Sequence, residues 1–95
     1  MFIVALKFSG NKGQASAFMD GHKAWLKRGF DDGVCLLAGS LQLNLGGGIL
    51  APNTSLQDLQ DRVNEDPFVA EDVVRADVLE ITPSKTDPRL SFLLG

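Results

Sequence analysis

The sequence predicts an α+β fold in one domain, and three observations carry that reading. Apolar residues alternate at period two near the start and again near residue 75, as in half-buried strands. Two stretches between them repeat apolar residues at steps of three and four, the stripe of an amphipathic helix. Glycine, proline, asparagine and aspartate cluster where one period gives way to the next. The chain has 95 residues, 44% apolar and 22% charged. That length is one domain's worth, read as 1–95, and the composition excludes wholesale disorder and collagen-like repetition.

Phe2, Val4, Leu6 and Phe8 share one face of the first strand, which Ser9-Gly10-Asn11-Lys12-Gly13 ends. From Gln14 to Phe30, Ala15, Phe18, Met19, His22, Trp25, Leu26 and Gly29 mark the inner stripe of a helix. Gly21 inside that helix costs about 1 kcal/mol against alanine, and it also permits close approach of a neighbour. After the Asp31-Asp32-Gly33 turn, Val34 to Ala38 is a nearly continuous apolar run, expected as an internal strand covered on both faces. A turn region from Gly39 to Asn44 leads to a strand over Leu45 to Ala51, in which Gly46-Gly47-Gly48 reads as a bulge or a close backbone approach. Ser55 is placed to cap a second helix, with Leu56, Leu59 and Val63 inward. Asp66-Pro67 ends it, because the residue before proline is pushed out of helical geometry, and Pro67 suits the start of one more turn. Val73 to Thr82 is the last strand, and 83–95 is a tail, polar and then apolar over Leu90 to Leu94.

Strand, helix, strand, strand, helix, strand is the ferredoxin-like split βαβ pattern (βαββαβ), with both helices on one face of an antiparallel sheet. The other sheet face is then uncovered, yet several strands are apolar on both sides. Two sheets packed face to face would hide that surface, so a homodimer is expected.

Twelve acidic against nine basic residues give a formal charge of −3, with no basic run to follow a phosphate backbone. Nucleic acid is therefore not an expected partner. Met1 to Leu6 is too short to span a membrane and has no basic segment before it, so neither membrane anchoring nor export is expected. The lone Cys35 has no intrachain partner, which agrees with a cytoplasmic setting.

His22 is the only imidazole. One reading is a core histidine satisfied by a carbonyl; the other is a proton-transfer group, which needs a partner to fix its tautomer. Asp66 is the candidate partner. With the two helices taken to run in the same direction, His22 lies about eight residues into the first and Asp66 about eleven into the second. At ~1.5 Å per residue their heights differ by about 5 Å. Asp66 also suits the N-cap of the turn after it. Ser40 ends the second strand, either as a turn former or with its hydroxyl in a cleft; no G-x-S-x-G elbow supports nucleophilic catalysis. Trp25 and the phenylalanines, Phe68 among them, read as core residues or as the wall of a pocket mouth. One His and one Cys far apart make no metal site, and the glycine triplet lacks the Lys-Ser/Thr of a phosphate loop.

Several of these segments together resemble the YCII-related (YciI-like) family. The resemblance rests on Phe2 to Phe8, on Gly21-His22-Lys23-Ala24-Trp25-Leu26, on Leu36-Leu37-Ala38-Gly39-Ser40 and on Glu65-Asp66-Pro67-Phe68. Ser40 departs from the proline more frequent there. The resemblance implies a dimeric α+β barrel and places the family's active-site His and Asp on His22 and Asp66. It also implies chemistry of the kind recognised in one member, dehydrochlorination of a chlorinated hydroxyhydroquinone, on a fold similar to that of muconolactone isomerase.

The expectation is a small enzyme without a cofactor. His22 is its general acid or base, Asp66 orients it, and Ser40, Trp25 and Phe68 line a site for a small cyclic or phenolic molecule. The alternative is a non-catalytic ligand-binding or interaction module. The two differ at His22: a catalytic imidazole has one nitrogen open to a pocket, a structural one has both occupied by protein.

Overall fold

The computed structural model describes residues 1–94. Gly95, the end of the expected tail, lies outside the described residues. The elements are β1 (Phe2–Phe8), α1 (Ala15–Asp31), β2 (Leu37–Leu41), β3 (Gly46–Ala51), α2 (Leu56–Asn64), α3 (Pro67–Ala70) and β4 (Val74–Glu80), with a 3₁₀ segment over Pro88–Leu94. The strands form one four-stranded sheet in the order β2-β3-β1-β4, and each neighbouring pair is antiparallel. This α+β arrangement is compatible with the ferredoxin-like pattern.

The register sorts the side chains into rows across the sheet. Ala38, Ile49, Val4 and Val78 form one row, and Ser40, Gly47, Leu6 and Ala76 the next. These rows belong to the inner face, where Phe2, Val4, Leu6, Ile49, Ala51 and Val74 join Trp25, Leu59, Val63 and Phe68 of the helices in one core. On the outer face a row of Leu37, Leu50, Ile3 and Leu79 crosses all four strands. Leu37 and Leu79 there are 55% and 63% exposed.

Local chemistry accounts for the helix ends. Ser55 is extended and its hydroxyl accepts from the Asp58 N–H, closing the N-terminus of α2. Asp66 is extended before Pro67, and its carboxylate accepts from the Phe68 N–H, so the short turn α3 starts there. Gly21 does admit a neighbour: a β-carbon on it would stand 3.0 Å from Pro67 Cγ.

Five expectations need correction. The apolar run at Val34 does not begin the second strand. The Val34 and Cys35 N–H groups both bond to the Gly29 carbonyl and finish the end of α1, so pairing starts with the Leu36 N–H on Leu50. Nor is β2 internal, for it is an edge strand and Leu37 is largely exposed. The expected turn from Gly39 shrinks to Gln42–Asn44, with Leu43 and Asn44 at positive φ, because the ladder continues through Leu41. Leu56, expected inward, is 45% exposed at the first position of α2.

The helices also run in opposite directions. Moving up α1 from His22 to Trp25, the partners move down the chain, from Asp66 to the Arg62 carbonyl. This follows from the sheet, since β1 and β3 are antiparallel and each helix runs back from its own strand. No helix among the described residues is long and apolar enough to cross a membrane.

Candidate functional site

The seam between α1 and α3 brings His22 and Asp66 together. His22 Nδ1 lies 2.9 Å from Asp66 Oδ1 and 3.1 Å from Oδ2. A carboxylate only accepts, so Nδ1 is the donor, and the remaining proton-accepting position of the neutral ring is Nε2. Asp66 is fully buried. Its Oδ1 serves two groups at once, the His22 ring and the Phe68 N–H at 3.0 Å. The N-cap and the imidazole partner are therefore the same carboxylate.

Two aromatic rings fix the imidazole plane. Phe68 stacks on His22 with centroids 4.1 Å apart and planes within 3°. Trp25 stacks at 5.9 Å and 25°. The Trp25 indole N–H is spent on the Arg62 carbonyl at 2.8 Å, which satisfies an end group of α2 and holds the indole in the core. The ring therefore has little freedom to turn.

His22 also forms part of the wall of a cleft of about 350 Å³ between α1 and the β2–β3 end of the sheet. Its apolar walls include Leu6, Phe8, Met19, Leu26, Ile49 and Phe68, and Ser40 and Lys23 are its polar contributors besides the imidazole. The hydrogen bonds of His22 to protein run through Nδ1. Among the described residues no buried side-chain nitrogen or oxygen lacks a partner, so Nε2 is not a buried orphan, and its residue contributes to the cleft wall.

Of the five candidates, His22, Ser40 and Phe68 line this cleft. Asp66 stands behind His22, out of solvent. Trp25 is buried against the imidazole and is not part of the cleft wall. The glycine triplet reads in the sequence as a bulge or a close backbone approach; the space it leaves, and Lys23 as part of the cleft wall, are not in that reading. One glycine makes the space: Gly47 shares the inner-face row with Ser40 and Leu6, and its missing side chain leaves the cleft open. Gly46 has a different task. It lies at φ +136°, and a β-carbon there would fall 1.9 Å from the Leu6 carbonyl oxygen. The flanking glycines were the signal, since an apolar strand seldom gives up three side chains in a row.

Cys35 lies elsewhere, beside Gly29 at the end of α1. Burial pushes its thiol above the ordinary value, offset in part by the Arg62 guanidinium. No group of His, Cys, Asp and Glu among the described residues is placed to hold a metal ion. No protein-family model matches the chain, and no curated protein matches it.

Proposed function

We propose that the protein is a small acid–base enzyme in which His22 Nε2 exchanges a proton with a cyclic or phenolic molecule held in the cleft. The observation that carries this reading is the asymmetry of the imidazole: Nδ1 is fixed by a buried carboxylate, while Nε2 is free at the wall of an apolar cavity. The Nε2 lone pair takes a proton from a carbon or hydroxyl of the ligand, and Asp66 stabilises the imidazolium that forms. Returning the proton to another carbon isomerises the ligand; departure of chloride with its bonding pair completes an elimination. Help of this kind is worth about 10²- to 10⁴-fold in rate. The reading accords with the YciI-like resemblance of the Gly21–Leu26 and Glu65–Phe68 segments, and it calls on no cofactor.

The same proposal includes a homodimer of the α+β barrel type. Its support is the outer-face row Leu37, Leu50, Ile3 and Leu79, beside which Gly39, Gly48 and Ala5 offer little bulk and Asp77, 3.8 Å from Lys7, ends that second row on β4. Two such faces can approach closely and remove leucine side chains from water at ~25 cal/mol per Å². Sedimentation at micromolar concentration should give about twice the chain mass, and a 10.2 kDa species alone would refute the dimer.

The test of the enzyme is a panel of chlorinated hydroquinones, hydroxyquinols and unsaturated lactones, followed by absorbance and chloride release. Turnover is expected for at least one class and should be lost in His22→Gln. Turnover that survives this substitution would remove His22 as the proton-transfer group, and panel members that bind the cleft without being converted would replace the enzyme with the non-catalytic binding module.

A further inference from the structure

We propose that Lys23 makes the cleft selective for anions, so that its ligand carries an ionised oxygen, phenolate or carboxylate, on a ring otherwise held by apolar contacts. The proposal rests on the reading of the cleft as the binding site and adds the charge class of what enters it.

Lys23 follows His22 directly on α1, and both contribute to the cleft wall. No acidic side chain lines that wall among the described residues. Asp66 faces the other edge of the imidazole and is buried, already engaged with His22 and the Phe68 N–H. The other lysines with an ion pair in reach use it: Lys7 lies 3.8 Å from Asp77, and Lys27 lies 2.6 Å from Asp31. Lys23 has no carboxylate within 4 Å among the described residues.

Its setting makes that charge effective. The chain as a whole carries −3, so its long-range field repels anions, and any preference for them must come from a local cation. The cleft is bounded by Leu6, Phe8, Leu26, Ile49 and Phe68, and low-dielectric walls strengthen the attraction between an ammonium at the rim and an oxyanion beside it. A lysine stem also covers apolar surface while its head stays wet. The cleft thus presents a ring-sized apolar volume, a proton acceptor on one wall and a positive charge at the next residue. An aromatic or enolic anion satisfies all three.

The experiment uses benzoate and benzamide, which share a shape and differ in charge, titrated into the full protein and followed by amide chemical shifts of cleft residues. Benzoate should bind about fivefold more tightly at low salt, the scale of one exposed-to-half-buried ion pair, and the preference should shrink in 0.5 M salt, where the Debye length is about 4 Å. Lys23→Met should abolish the preference and leave benzamide binding unchanged, while Lys23→Arg should retain it. Lys27→Met makes the same change in net charge away from the cleft and should have no effect. Equal binding of the two probes by the unaltered protein, a preference that survives Lys23→Met, or no binding of either at millimolar concentration would overturn the proposal. The first two results leave the acid–base reading of His22 standing. Charge-selective binding with no turnover of any panel compound would support Lys23 and count against the enzyme.

Discussion

The two walls of the cleft are built on opposite principles. The wall formed by α1 and α3 is over-determined: Asp66 holds His22 and the Phe68 N–H, Phe68 and Trp25 stack on the imidazole, and the Trp25 N–H closes on Arg62. The wall formed by β2 and β3 is defined by what is missing, with Ala38, Ser40 and Gly47 where larger side chains would fill the inner face. A reactive group needs both kinds of surroundings, since a fixed ring without space has nothing to act on, and space beside a mobile ring gives no defined geometry. Stability should therefore concentrate on one wall and tolerance on the other.

The largest effect should come from Phe68→Ala, which removes a buried ring from the core and from the imidazole. A loss of about 3–5 kcal/mol is expected from the denaturation midpoint at fixed protein concentration; a loss below about 1 kcal/mol would show that the helical wall is not the stable one. Gly46→Ala comes next, at about 2–3 kcal/mol, because the β-carbon meets the Leu6 carbonyl at a backbone angle that side chains avoid. Its neighbour sharpens the comparison. Gly47→Ala meets only the Gly39 carbonyl at 3.4 Å and should change stability by less than about 1 kcal/mol, in the stabilising direction. Similar losses at both glycines would mean that the strand, and not one contact, demands them.

Asp66→Asn should cost about 1 kcal/mol. The amide oxygen still caps Phe68, but the amide can present a donor to the ring, so the Nε2–H tautomer becomes populated. Long-range proton–nitrogen correlation on the single histidine reads this directly, and an unaltered tautomer would show that Asp66 does not set it.

The smallest effect concerns Cys35, away from both walls. Burial raises its thiol above the ordinary value, so alkylation by iodoacetamide at neutral pH should be slower than for a free thiol. A folded value above the unfolded one gives stability that is complete below the unfolded value and declines as pH rises through the folded one. Rapid alkylation at pH 7 in the folded protein would contradict this.

The helical wall was largely legible in the sequence and the sheet wall was not. The stripe through His22 and Trp25, the Ser55 cap and the Asp66-Pro67 start of α3 are local signals, each written in residues a few positions apart. Similar heights along co-directional helices predict the approach of His22 to Asp66, but the helices are antiparallel. The antiparallel pair still brings them together, because His22 lies near the middle of α1 and meets the C-terminal side of α2. The position of β2 escaped because Val34 and Cys35 have strand-like composition, yet their N–H groups are claimed by Gly29 at the helix end. That competition depends on tertiary geometry. The cleft escaped for a different reason: periodicity is carried by side chains that are present, and this cavity comes from side chains that are absent.

The placement of β1 has a kinetic consequence. It is synthesised before its neighbours, yet it sits in the interior of the sheet, and Phe2 pairs with Ala51 on one side and Glu80 on the other. Its two faces carry Phe2, Val4 and Leu6 against Ile3 and Ala5, so an unpaired β1 offers a sticky ribbon to anything nearby. Closing both ladders requires loops spanning half the chain and then most of it, contacts whose entropy must be lost before they stabilise anything. Refolding should therefore run on the millisecond-to-second scale of sheet topologies, and a nascent chain halted before β4 emerges is the form most in need of a chaperone.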